Sequence, residues 1–204
     1  MSEGFSGKLL HFLHDTTVPE WIAIVTALVY VILAACENSW AWPFGIISSA
    51  IYVWYNFHLK LYNDAWLSVY YCFVGIYGWY AWIRGAAKQE NGARLHHISL
   101  RQLLIVLGVG AVISVALGFV TRAFTDSPLP FFDATLTAFS LIATWMTARK
   151  TLENWIFWVI IDAAYVALYF LRNSPATAIL FFVYTIIAAY GYFKWKKRLH
   201  PSAA

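Results

Sequence analysis

Seven apolar stretches succeed one another along this chain, at about 20–37, 40–58, 63–84, 101–122, 130–148, 153–171 and 175–195. An α-helix rises about 1.5 Å per residue, so about twenty apolar residues cross the roughly 30 Å hydrocarbon core of a bilayer. Inside lipid every backbone N–H and C=O must be satisfied within the segment, which restricts such runs to helices. The composition agrees: 61% of the residues are hydrophobic and 12% charged, against roughly 45–50% and 25% in soluble domains. The expected fold is an all-α integral membrane protein with seven transmembrane helices.

What lies outside the stretches is sparse. Met1 to Asp15 holds one lysine and a short apolar patch, without the long apolar core of a cleavable signal peptide. Leu9-Leu10-His11-Phe12-Leu13 reads as a short amphipathic piece on the surface. Cys36 and Cys72 both sit among apolar residues and offer neither a disulfide framework nor a metal motif. No cofactor is expected.

The cations are distributed unevenly. Arg84, Lys88, Arg94, Arg101, Arg149, Lys150, Lys194, Lys196, Lys197 and Arg198 fall on one side of a seven-span topology; Lys8, Lys60, Arg122 and Arg172 fall on the other. Lys and Arg concentrate on cytoplasmic loops, so the C-terminus is expected in the cytoplasm and the N-terminus outside. This topology accounts for the net charge of +4, which therefore gives no indication of nucleic-acid binding.

The sequence superimposes on itself when Trp42 is set on Trp155. Over 41 positions this register gives 13 identities, ending with Tyr77, Gly78 and Trp82 on Tyr190, Gly191 and Trp195. Thr26-Ala27 and Thr137-Ala138 extend the match with a two-residue slip. The expected organisation is an extracytoplasmic segment at 1–19, a three-helix repeat at 20–84, a cytoplasmic loop and linking helix at 85–129, a second three-helix repeat at 130–198 and a tail at 199–204. Spans four apart run in the same direction, so the repeats are parallel, and the linking helix supplies the extra crossing. Parallel repeats of this kind occur in transporters whose substrate site lies near the midplane between the halves.

The sixth stretch carries the chemistry. Asp162 lies in the middle of an apolar helix, where a charge costs about 2.5–3.5 kcal/mol on insertion scales and is expected to face a cavity or a partner. Trp155, Trp158, Asp162, Tyr165 and Tyr169 are spaced by three and four residues, which at about 100° per residue gathers them into a sector about 80° wide. Their repeat partners are Trp42, Gly45, Ser49, Tyr52 and Asn56. Rings stack on flat heterocycles and attract cations, and a carboxylate neutralises the charge or accepts hydrogen bonds. The candidate binding residues are Trp155, Trp158, Asp162, Tyr165, Tyr169, Trp42, Ser49, Tyr52 and Asn56. Trp155, near the cytoplasmic end, also suits an interfacial aromatic belt, and that reading leads for Trp79, Tyr80 and Trp82.

With these residues in view, the chain resembles the PnuC family of bacterial vitamin transporters over about 20–198. The resemblance is carried by Glu153-Asn154-Trp155, Trp158, Asp162, Tyr169, Thr177-Ala178 and Tyr190-Gly191-Tyr192 with Trp195, and by Tyr77-Gly78-Trp79-Tyr80 with Trp82. It implies a three-plus-one-plus-three helix arrangement similar to SWEET sugar transporters. It also implies a pocket built with Trp155, Trp158 and Asp162, a place in the bacterial inner membrane, and uptake of nicotinamide riboside, a NAD precursor, by facilitated diffusion. Thiamine or another vitamin or nucleoside is the alternative cargo. The expected partners are a small cationic substrate and membrane lipid. A homo-oligomer and a functional link to a cytoplasmic kinase that traps the substrate are further expectations.

Two other classes compete. One is a substrate-binding membrane subunit of a larger importer, which the internal repeat argues against. The other is a membrane enzyme, for which His96-His97 with Glu90 is the available, weak cluster. Both histidines read as solvated, and Glu37 and Glu153 as interfacial groups at span ends. No phosphate-cradling Gly-x4-Gly-Lys loop is present.

Overall fold

The computed structural model describes residues 7, 12–58, 62–87, 93–125, 127–172 and 174–199. Seven long helices follow in order: α1 (Val18–Ala35), α2 (Ala41–His58), α3 (Tyr62–Ala86), α4 (Leu100–Phe124), α5 (Pro130–Ala148), α6 (Asn154–Leu171) and α7 (Pro175–Leu199). A helical turn at 12–15 precedes them. Leu9, Leu10 and His11 of the expected surface piece lie outside the described residues, as do Lys8, Lys60, Lys88 and Glu90.

Local chemistry sets the helix starts. The Thr17 N–H donates to the Glu20 carboxylate at 2.7 Å, and Pro19 stands in the first turn of α1. Ser99 and Gln102 cap α4 reciprocally, side chain to backbone in both directions. α5 and α7 each begin on a proline, whose missing N–H would be unpaired there anyway.

Among the described residues, α1, α4, α5, α6 and α7 are long and apolar enough to cross a membrane. α2 and α3 have 18 and 25 residues, and their Trp, Tyr, Asn and Ser keep them below the hydropathy of the other five. The fold is therefore that of an all-helical, multi-pass membrane protein.

The packing follows the sequence repeat. α2 lies against α1 and α3, and α6 against α5 and α7. Between these two groups the contacts are α1 with α7 and α3 with α5, which are the same contact once the repeats are exchanged. Among the described helices α4 packs on α5 alone, through its buried Gly110, Ser114 and Gly118. Its other face leaves Leu104, Ile105 and Val112 more than half exposed, as suits lipid.

The repeat extends to single atoms. Trp42 and Trp155 are both buried, and a Cβ on Gly78 or Gly191 would fall 2.4 or 2.7 Å from their respective indoles. Each glycine is the only residue that lets its tryptophan lie flat on the helix. Trp42 meets Trp82 edge-on at 5.5 Å, and Trp155 meets Trp195 edge-on at 5.3 Å. Trp82 Nε1 donates to the Thr147 and Ala148 carbonyls, and Trp195 Nε1 donates to the Ala34 carbonyl. Trp82 is 1% exposed and Trp155 2%, so the interfacial-belt reading fails for both. Tyr80 and Trp79 remain exposed, in keeping with it.

α1 and α5 end in the same register. Ala35 and Ala148 are their last residues, and Glu37 and Lys150 both turn left-handed, at φ 54° and 56°. The Asn38 N–H then reaches back to the Leu33 carbonyl, as the Thr151 N–H does to that of Met146. These ends keep the register that sets Trp42 on Trp155, so the two-residue slip suggested by Thr26-Ala27 and Thr137-Ala138 does not describe them.

The ends of α1, α3, α5 and α7 meet at one end of the molecule, where Glu37 pairs with Lys150 at 3.6 Å and with Arg198 at 3.2 Å. Arg172 pairs with Asp133 at the other. The segment 93–99 is pinned beside 149–153: His96 pairs by its backbone with Lys150 and Leu152, and the Glu153 carboxylate takes His97 Nδ1 and the Ile98 N–H. His97 and Glu153 thus fasten a loop, and His96 is held by its backbone.

Candidate functional site

A cavity of about 440 Å³ opens between the two helix groups, within the usual size of a small-molecule site. It is lined from both repeats. From α6 come Trp155, Trp158, Asp162 and Tyr169; from α2 come Trp42, Ser49 and Tyr52. The structure thus brings together seven of the nine residues that the sequence singled out.

Tyr165 and Asn56 are the exceptions. Tyr165 sits at the edge of the α6 sector and is taken up by packing, its ring stacked on Phe181 at 4.5 Å. Asn56 stands near the end of α2, and its short amide does not line the cavity, whereas the long ring of its repeat partner Tyr169 does. Tyr169 lies nearly parallel to Phe181, at 5.4 Å and 14°.

Asp162 is 4% exposed, and its carboxylate makes no hydrogen bond or ion pair with the described residues. A buried carboxylate so placed is costly unless something in the cavity answers it. The indole N–H groups of Trp42 and Trp155 are likewise buried without a hydrogen-bond partner among the described residues. The cavity therefore sets one carboxylate among rings, with the hydroxyl-bearing Ser49, Tyr52 and Tyr71 also in its lining.

Trp158 is held by a short chain of polar groups. Its Nε1 donates to Thr147 Oγ1 at 3.3 Å. The Thr147 hydroxyl lies 2.9 Å from the Ala143 carbonyl and 3.0 Å from Asn154 Oδ1, and Asn154 Nδ2 donates to the Thr151 carbonyl at 2.6 Å. Asn154 is wholly buried, so this chain is shielded from solvent and fixes the ring.

Several lining residues were missed by sequence reasoning: Tyr30, Tyr71, Thr144, Thr147, Thr177 and Tyr184. Tyr71 and Tyr184 are identical partners in the repeat, a signal that was present. Thr177 belongs to the Thr177-Ala178 pair. Tyr30, Thr144 and Thr147 carry no sequence signal, because only the packing of α1 and α5 turns them inward. His96 and His97 do not approach the cavity, and no group of three or more His, Cys, Asp or Glu among the described residues is arranged to hold a metal.

Comparison with known proteins gives this site a context. The nicotinamide riboside transporter PnuC of Escherichia coli (strain K12) is 27% identical over 207 residues, covering 89% of this chain and 86% of its own length. The riboflavin/roseoflavin transporter RibM of Streptomyces davaonensis is 23% identical, covering 86% and 83%. The crystal structure of the vitamin B3 transporter PnuC matches in fold with a TM-score of 0.73 at 20% identity, covering 96% of this chain and 88% of that one. The family model described as nicotinamide mononucleotide transporter matches residues 17–197. The chain belongs to that family, the PnuC family of membrane transporters.

Proposed function

We propose that the protein carries nicotinamide riboside across the bacterial inner membrane by facilitated diffusion, with the two three-helix repeats alternating access around the cavity. The reading takes all seven long helices as spans, divided 20–84 and 130–198 with 85–129 as loop and linking helix. It takes the N-terminus as outside and the C-terminus as cytoplasmic. The observation that carries it is Asp162, a buried carboxylate without a protein partner among the described residues, in a ring-walled cavity between duplicated helix groups. A flat cationic ring satisfies both features, by ion pairing and by stacking. The hydroxyl-bearing Ser49 and Tyr52 in the lining suit polar groups on the ligand. In this reading Trp155, Trp158, Asp162 and Tyr169 form one wall and Trp42, Ser49 and Tyr52 the other.

The test is uptake into liposomes by the purified chain alone, with no ion gradient. Equilibration of nicotinamide riboside to the outside level supports the reading. Accumulation above that level, collapsing with a proton uncoupler, sinks the uncoupled mechanism, and no uptake without a second protein favours the binding-subunit class. Thiamine, also a flat cation, meets the same carboxylate and is the second cargo to test. Riboflavin lacks the positive charge, so Asp162 argues against it.

A further inference from the structure

The two halves build their cavity walls from the same repeat, but each takes its large ring from a different helix. In the second half the ring is Trp158 on α6, and its partner in the repeat register is Gly45 on α2. In the first half the ring is Tyr30 on α1, and its partner in the same register is Ala143 on α5, wholly buried. The exchange is reciprocal, large against small in each half. It also fits sterically: a Cβ on Gly45 would fall 2.9 Å from Tyr30 Cδ2, so the absent side chain is what seats the Tyr30 ring. Tyr30 further rests on Trp42, with ring centroids 5.7 Å apart, and Trp42 is itself fixed by Gly78 and Trp82. Tyr30 and Trp158 both line the cavity.

We propose that Tyr30 is a substrate-contacting ring, the first half's counterpart of Trp158, and that Gly45 is the positioning residue that seats it. This rests on the proposed transport of a flat cation and adds which residue selects it. Two rings delivered from non-equivalent helices make the pocket asymmetric, so a ligand with one flat end is held in one orientation although the scaffold is nearly two-fold. Selectivity for ring size then resides at Tyr30 and Gly45 as much as at Asp162.

The experiment is a titration of detergent-purified protein with nicotinamide riboside, thiamine and riboflavin, followed by Trp quenching, with melting of the unliganded protein recorded alongside. Losing a stacking face and its contact area, Tyr30→Ala is expected to weaken nicotinamide riboside about tenfold or more, while Tyr30→Phe stays within about threefold. Gly45→Ala, which leaves Tyr30 present but displaced, is expected to weaken binding in the wild-type background and to have no further effect on top of Tyr30→Ala. Should Tyr30→Ala fail to insert, Gly45→Ala alone decides: wild-type affinity for nicotinamide riboside overturns the proposal. Equal affinity of Tyr30→Ala and wild type, or a Gly45→Ala loss that persists without Tyr30, overturns it as well. A wild-type chain that quenches with none of the three probes overturns this and the proposed cargo together. Wild-type binding with an indifferent Tyr30 overturns this inference alone.

Discussion

Glu37 and Lys150 occupy the same position of the repeat, at φ 54° and 56° in the turn that ends the first helix of each half, and their side chains meet at 3.6 Å. Both side chains are about nine-tenths buried. Left-handed backbone at a non-glycine residue costs about 1–2 kcal/mol, and two such turns are retained where glycine would fit. What glycine lacks is the ion pair. Burial pulls the Lys150 ammonium below the ordinary lysine range, and Glu37 pulls it partly back. Arg198 adds a contact 3.2 Å from Glu37 Oε1, and Lys150 lies over the Trp82 ring at 4.7 Å.

Glu37→Gln leaves Lys150 buried without its counter-charge. Breaking a buried pair from one side costs about 3–5 kcal/mol, so a large fall in melting temperature is expected. Arg198→Gln removes a mostly exposed partner and is expected to cost about 1 kcal/mol at most. Thermal unfolding of the two variants in detergent checks the order, and equal losses would mean that Lys150 is not the partner that matters.

Asp162→Asn removes a buried charge that no described residue answers, so the variant is expected to fold as well as the parent. Hydrogen bonds to charged groups contribute about 1.5–3 kcal/mol, which corresponds to a loss of about 10- to 150-fold in affinity for a cationic ligand. Titration by Trp quenching measures this. Unchanged affinity would make Asp162 a structural residue only.

Gly78→Ala and Gly191→Ala each press a methyl group into a tryptophan indole held by neighbouring rings. Overpacking of this kind costs about 1–3 kcal/mol. Because the two sites are equivalent, similar destabilisation is expected from both, together with weaker ligand binding through Trp42 in one case and Trp155 in the other. A variant as stable as the parent would show that its indole has room to move.

Thr147→Val keeps the shape of the side chain and deletes the hydroxyl that accepts from Trp158 Nε1 and lies 3.0 Å from Asn154 Oδ1. Leaving buried groups unpaired costs about 1–3 kcal/mol, and freeing Trp158 is expected to weaken binding as well. Thr147→Ser retains the hydroxyl and is expected to retain most of both. Binding losses of the same size in Val and Ser would separate Trp158 from this chain of bonds.

Much of the architecture is legible in the sequence because lipid permits few alternatives. The helix bounds fall close to the ends of the apolar stretches nearly everywhere, apart from the longer C-terminal end of α7. The repeat register reappears in contacts as fine as the seats of Trp42 and Trp155 under Gly78 and Gly191. The helix-face argument places most of the stripe correctly, since Asp162 and its neighbours turn inward together. It misplaces Tyr165, which a neighbouring Phe181 on α7 claims, and Asn56, which is too short. It misses Tyr30 and Thr147 because nothing in α1 or α5 marks which face looks into the cavity. The belt reading of Trp82, and the same reading as the alternative for Trp155, fail because depth along a helix does not reveal which rings lie between helices.

The indole bonds of Trp82 and Trp195 have a mechanical consequence. Each reaches from the third helix of one half to the backbone end of the first helix of the other, so the two halves hold each other's collars. Parting the halves at that end would break the indole bonds of both, since each half holds the other. Each such bond contributes only about 0.5–1.5 kcal/mol net, so the seam rests as well on the buried Glu37–Lys150 pair beside it. The third helix of each half thus finishes a helix that belongs to the other, which makes the two halves one structure at this end.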